Sequence, residues 1–364
     1  MPFNRLQPML IASLLPLLVF TWFSRDYIGQ VDFWLLWLVA MTLVGLPLVF
    51  AEIGLAHRSG TSPLVGLPML TREADVSTVW RGFGWLTIML LLAVVGNLLA
   101  SSGEIIHPLV SSIALPALLA IMALLVIGLS FIKHLAGWLA VGFAVAALVV
   151  NVMQGGLVAW QMTATSLTEW AGAVVLALVC VGAGTGLYWH ARTHQMLTAN
   201  STAATDDARE SASRYVLPVW SFQLLVGALI AMTLSPNSAM AAVLNALAML
   251  AGAAYLLHIL THQVSLRWQQ QQFNFLALVV LAVLSLALAM VPTAWLNQLI
   301  IVISLVTAVW LAVFAGWQMK ISHLRKSLNF SSEGLYNLWR IAVRIIVPLA
   351  VVLAMVGWVL GWAK

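Results

Sequence analysis

The chain carries eleven apolar stretches, each long enough to cross the roughly 30 Å hydrocarbon core of a bilayer as a helix. They run over residues 6–23, 33–56, 83–103, 109–132, 135–155, 169–189, 215–234, 239–261, 273–291, 295–317 and 339–362. In hydrocarbon no water satisfies a free N–H or C=O, so spans of this length must be helical. The predicted fold class is all-α: a polytopic membrane protein with eleven transmembrane helices in a single membrane domain, residues 1–364. Only 7% of residues are charged, against about 25% in a soluble domain. The first stretch lacks a small-x-small cleavage site before Arg25-Asp26, so it reads as a span and not as a secretory leader.

Charge gives the orientation. With the N-terminus cytoplasmic and the sides alternating, fourteen of the sixteen Lys and Arg residues fall inside and only Arg25 and Lys364 outside. That is the split the positive-inside rule demands. The net charge of +5 therefore reflects orientation and not a nucleic-acid partner. The expected partner along most of the surface is the lipid bilayer, and tryptophans at span ends (Trp22, Trp80, Trp138, Trp160, Trp295, Trp317) suit its interfacial belts. The single cysteine, Cys180, lies inside a span, so disulfides play no part.

Inner connections are longer (Ala56–Gly82, His190–Arg214, Gln318–Leu338) than outer ones such as Val291-Pro292-Thr293. The segment Thr193–Ser213 reads as a polar loop carrying a short helix, and Gln269–Gln272 as a solvated helix end. No Walker lysine is present, and Gly182-Ala183-Gly184 sits in a span rather than after a strand, so no nucleotide cofactor is implied.

The sixth stretch places Gly182, Gly184 and Gly186 at alternate positions within Val179–Trp189. An interior glycine costs roughly 1 kcal/mol of helix relative to alanine. Two readings stand: close packing of helices on small residues, or a helix that opens and presents bare amides and carbonyls to a solute.

The second stretch decides between them through a resemblance. Val44-Gly45-Leu46-Pro47-Leu48-Val49-Phe50-Ala51-Glu52-Ile53-Gly54-Leu55-Ala56, followed by His57–Pro63, resembles the second helix and first inner loop of the neurotransmitter:sodium symporter family. Trp80-Arg81-Gly82-Phe83-Gly84-Trp85 is similar to the start of that family's third helix, and the 182–186 run to its unwound sixth. Tyr336–Pro348 resembles the last helix of its eleven-span bacterial members. The resemblance covers essentially the whole chain. It implies the leucine-transporter fold: a 5+5 inverted repeat (6–155 and 169–317), a broken sixth helix, and an extra C-terminal helix, 339–362. It also implies a bacterial inner membrane, N-terminus cytoplasmic and C-terminus periplasmic.

Most of the family's ion and substrate residues do not carry over. The first span, Met9–Phe20, has neither the glycine-rich break nor the asparagine that hold sodium there, only Ser13 and Pro16. In the sixth span the family's serine falls on Cys180, its threonine on Leu178 and its gating aromatic on Ala183. The third-span tyrosine pair falls on Asn97 and Leu98, and the hydroxyls of the second sodium site fall in Ala251-Gly252-Ala253-Ala254. The outer lid shrinks to about Leu234–Ala239. Sodium needs several hard oxygens, so coupling by the family's two sites is not expected.

Glu52 is the acid within a span, where a charge is costly and is usually functional or paired. The resemblance implies that it caps free amides near Gly184–Leu187; the alternative is a proton-coupling acid. Asn97 reads as an interhelical hydrogen bond or as a ligand, and Glu104 and Glu169 as solvated outer residues. His190 with His194, and His258 with His262, each share a helix face, but no cysteine or acid completes either pair, so no metal is expected. No nucleophile–base pair suggests an enzyme. The expectation is a divergent secondary transporter for a small amino-acid-like or amine-like solute. Its substrate-binding residues would be Cys180, Gly182, Ala183, Gly184, Thr185, Gly186 and Asn97. The alternative is a non-transporting scaffold that binds a membrane-protein partner.

Overall fold

The computed structural model describes residues 7–18, 27–155, 159–198, 212–233, 239–268 and 274–362, and these are almost entirely helical. The helices are α1 (Gln7–Leu18), α2 (Val31–Ser59), α3 (Pro63–Ala74), α4 (Gly82–Ile106), α5 (Leu115–Ser130) and α6 (Lys133–Gly155). There follow α7 (Leu167–Val181), α8 (Leu187–Thr198), α9 (Ser213–Thr233), α10 (Ala239–Arg267) and α11 (Phe275–Ala289). The last three are α12 (Thr293–Gln318), α13 (Ile321–Leu328) and α14 (Glu333–Trp362). Among the described residues, seven helices are long and apolar enough to cross a membrane, and α5, α7 and α11 are shorter apolar helices.

Helix ends follow their local chemistry. α7 starts at a capping box in which the Ser166 hydroxyl accepts from the Glu169 amide and the Glu169 carboxylate accepts from the Ser166 amide. Glu104 is exposed, as expected of a solvated residue, and also accepts from the Thr293 hydroxyl at 2.9 Å. α2 stops where Gly60 adopts φ +63° and returns its amide to Ala56 O, and Ser62-Pro63 then opens α3. The sequence reading gave no helix at 63–74. It also began the inner polar loop at Thr193, whereas α8 continues to Thr198. Thr193 looks like loop, yet with His190 and Arg192 it is buried among helices. The side chain of His194, the loop residues 199–211, the shortened lid 234–238 and Gln269–Gln272 lie outside the described residues.

Three long helices contain a π-helical turn: Met41–Gly45 in α2, Phe314–Gln318 in α12 and Ala342–Ile346 in α14. Such a turn withdraws carbonyls from the helical ladder, and buried ones need other donors. Trp220 Nε1 bonds Met41 O at 3.0 Å, and Arg344 Nε bonds Gly316 O.

α4 and α10 pack against each other at the centre of the bundle. Around them α4 packs on α11 and α12, while α10 packs on α5 and α6. α1 packs on α9 and α6, and α7 packs on α2 and α12. α14 lies along α7. Close approach is built from small residues: a Cβ on Gly96 of α4 would stand 2.8 Å from Leu288 Cβ and 3.1 Å from Ser285 O of α11. Leu124, Leu276, Val283 and Leu349 remain exposed on the outside, an apolar surface suited to lipid.

Candidate functional site

Between α7 and α8 the chain leaves the helix for residues 182–186, and Gly182, Gly184 and Gly186 take φ of +65°, +77° and +73°. Only glycine adopts this left-handed region without penalty, so the alternation of glycines is what permits the break. The Ala183 amide returns to Leu178 O and the Gly182 amide to Val179 O, both at 3.2 Å. α7 therefore ends in a Schellman motif.

The groups the break releases are met by side chains from several helices. The Gly184 amide donates to Glu52 Oε2 of α2 at 2.8 Å, and the Gly186 amide faces the same carboxyl. Glu52 is fully buried, and its Oε1 has no hydrogen-bond partner among the described residues. Val181 O accepts from the Tyr188 hydroxyl at 2.5 Å and from Gln223 Nε2 at 3.3 Å, and Gln223 Nε2 also reaches the Tyr188 oxygen at 3.0 Å. Gly182 O accepts from the Thr185 hydroxyl at 2.7 Å, and Gly186 O from Gln263 Nε2 at 3.2 Å. The Cys180 thiol points to Gln223 O at 3.6 Å.

Apolar groups close around the same turn. A Cβ added at Gly182 would overlap Leu15 Cδ1 of α1, one at Gly184 would overlap Thr307 Cγ2 of α12, and one at Gly252 of α10 would overlap Leu18 Cδ1. Cys180, Ala183 and Thr185 are all buried. The residues that line the break thus include Leu15, Tyr188, Gln223, Gln263 and Thr307, which the sequence reading did not single out. Gln223 and Thr307 were visible as lone polar residues within apolar spans, but nothing in the sequence says which neighbour such a residue faces.

Asn97 is buried and donates its amide to Asn297 Oδ1 across α4 and α12 at 2.8 Å. His190 and His262 do approach each other, with ring centroids 5.2 Å apart, edge to face. His258 instead meets Ser130 O through Nδ1 at 3.0 Å. Among the described residues no three His, Cys, Asp or Glu side chains converge as a metal site would require. Two cavities lie elsewhere. A groove of about 840 Å³ is lined by Leu46, Phe50, Leu217, Phe330 and Trp339, and a cleft of about 710 Å³ by Trp317, Lys320, Arg325 and Arg344.

Three solved transporters share this arrangement of helices over nearly their whole length. MhsT in complex with L-phenylalanine superposes with a TM-score of 0.68 at 15% identity, covering 97% of this chain and 98% of that one. The manganese transporter of Eremococcus coleocola gives 0.58 at 12%, covering 98% and 87%. Mhp1, a nucleobase-cation-symport-1 family transporter in a closed conformation with bromovinylhydantoin bound, gives 0.52 at 12%, covering 98% and 92%. The fold is that of an all-α polytopic membrane protein. No family model and no curated protein matches the chain. At such identities the likeness speaks for architecture, and the chemistry has to come from the break itself.

Proposed function

We propose that this chain is a divergent secondary transporter of a small amino-acid-like or amine-like solute, uncoupled from sodium at the two sites of the neurotransmitter:sodium symporter family. It spans the bacterial inner membrane eleven times, N-terminus cytoplasmic and C-terminus periplasmic, as repeats 6–155 and 169–317 with an added helix, 339–362. The observation that carries the reading is the opened backbone at 182–186, held by the Glu52 carboxyl against the Gly184 amide. A helix opened at such expense is where membrane transporters present backbone to solutes. Cys180, Gly182, Ala183, Gly184, Thr185, Gly186 and Asn97 are the proposed contacts.

The repeat reading draws support from the packing. Exchanging α1 for α7, α2 for α9, α4 for α10, α5 for α11 and α6 for α12 turns four of the main pairings into four others. The α1–α9 pair becomes α7–α2, α4–α11 becomes α10–α5, α4–α12 becomes α10–α6, and α1–α6 becomes α7–α12. The loss of sodium sites draws support from Leu15 and Leu18, which bring methyl groups to Gly182 and Gly252. A cation site calls for oxygens at such places.

A specific observation also favours a second reading. Tyr188, Gln223 and Gln263 already satisfy carbonyls of the break, and Leu15 packs on Gly182, as suits a scaffold that holds a membrane-protein partner. Uptake of radiolabelled amino acids and amines into proteoliposomes, with and without a sodium gradient, separates the two. Uptake that ignores sodium supports the transporter. Silence over a broad panel, with a stoichiometric partner recovered from native membranes, supports the scaffold.

A further inference from the structure

The cleft between the C-terminal end of α12, the start of α13 and the π-turn of α14 collects positive charge. Lys320, Arg325 and Arg344 line it together with Trp317, Met319, Ile321 and Ser322. Two acids meet α13, Glu333 at 3.2 Å from Arg325 and Glu73 at 3.7 Å from His323, and among the described residues Lys320 and Arg344 form no ion pair with a carboxylate. Arg344 is held in place: its Nε bonds Gly316 O, and its guanidinium lies 5.1 Å from the centre of the Trp317 ring. That leaves its terminal nitrogens for a ligand. The eight-residue helix α13 begins at Lys320 with no capping side chain and no acid in its first turn, so its amides add positive potential to the same cleft.

We infer that this cleft binds the phosphate of an anionic phospholipid headgroup. Phosphate is the anion that fits a fork of arginine, a lysine and a helix N-terminus. A lipid source is favoured by depth. Trp317 is 59% exposed at the end of a 26-residue apolar helix, and an indole in that position sits at headgroup level. Exposed Ile321 offers apolar surface beside the charge. Basic pockets between helix ends at the cytoplasmic face are where anionic headgroups bind. A bound headgroup would join α12 to α14 through Arg344, beyond the π-turns that already engage each other there.

The test uses the full chain in phosphatidylcholine nanodiscs titrated with phosphatidylglycerol, with retained lipid counted by native mass spectrometry. The expected result is selective retention of phosphatidylglycerol that resists millimolar inorganic phosphate. K320Q should weaken it about fivefold, and K320Q/R325Q further. K326Q, one residue along the same helix but outside the cleft, should retain lipid like the unaltered chain. These exposed positions leave folding intact, which a thermal melt verifies. Unchanged retention in K320Q/R325Q, an equal loss in K326Q, or displacement by inorganic phosphate would each overturn the assignment.

Discussion

Leu15 of α1 and Gly182 of the break are in such close contact that a Cβ on the glycine would overlap the leucine's Cδ1. The first helix is therefore packed into the opened sixth span rather than standing apart from it. Gly182→Ala meets two penalties: a left-handed φ of +65° for a non-glycine residue, and overpacking against Leu15. Together these should cost about 2–4 kcal/mol. Leu15→Ala in the same chain should return the overpacking share but not the backbone share. Unfolding of the single and double variants in detergent, followed by tryptophan fluorescence, reads this as a non-additive cycle. Additive effects would mean that the two residues do not share the space.

Glu52 supplies an acceptor to the Gly184 amide, and an acceptor is all that this contact requires. Glu52→Gln keeps a carbonyl oxygen at the position and should unfold close to the unaltered protein. Glu52→Ala leaves the amide unsatisfied in a buried site and should lose about 1–3 kcal/mol. If the carboxyl also carries a proton during transport, Glu52→Gln should abolish uptake while keeping its melting temperature. Equal melting of Gln and Ala variants would remove the acceptor from the account.

Gln223 bridges Val181 O and the Tyr188 hydroxyl, tying α9 to both sides of the break. Gln223→Leu keeps the volume but withdraws the donor. Because Tyr188 still bonds Val181 O, the expected loss is modest, about 1 kcal/mol. Adding Tyr188→Phe leaves that carbonyl without either donor, so the double variant should fall by more than the two singles summed. Melting curves of the four proteins decide it.

How far the sequence speaks depends on the kind of signal. Apolar length is local, so each expected stretch contains described helix, although only seven of these helices are long and apolar enough to cross a membrane and the sixth stretch is divided between α7 and α8. The glycine alternation is local too, and it lands on the positive-φ residues 182, 184 and 186. The Gly-x-Pro of the second stretch has a visible physical use, since Pro47 cannot donate and its neighbours form a π-turn whose region bonds Trp220 and Trp339. Partnerships are not local. Gln263 sits at the polar end of α10, where glutamine signals nothing, yet it turns inward to Gly186. Thr193 looks like loop and is buried helix together with His190 and Arg192, because neighbouring helices surround it. α3 was hidden for a related reason. Its Pro68 and mixed polarity blur the helical period, and only packing of Leu64, Leu67 and Leu70 into the core fixes it.

The start of α2 supplies a last test. Asp32 accepts from the Thr163 amide at 2.9 Å and from its hydroxyl at 2.7 Å, while Gln161 exchanges backbone bonds with Gly29 and Val31. These contacts hold the segment leading into α7, and so the approach to the break, against the start of α2. Thr163→Val removes the hydroxyl donor but keeps the amide, and should cost about 1 kcal/mol. Asp32→Ala removes the acceptor of both and should cost more. It should also expose residues 159–165 to protease, because it removes the Thr163 contacts that join the Gln161 bonds in holding them. Limited proteolysis of the detergent-solubilised protein should therefore cut Asp32→Ala faster than Thr163→Val, and Thr163→Val faster than the unaltered chain. Cleavage at equal rates would show that the Gln161 backbone bonds alone hold the segment.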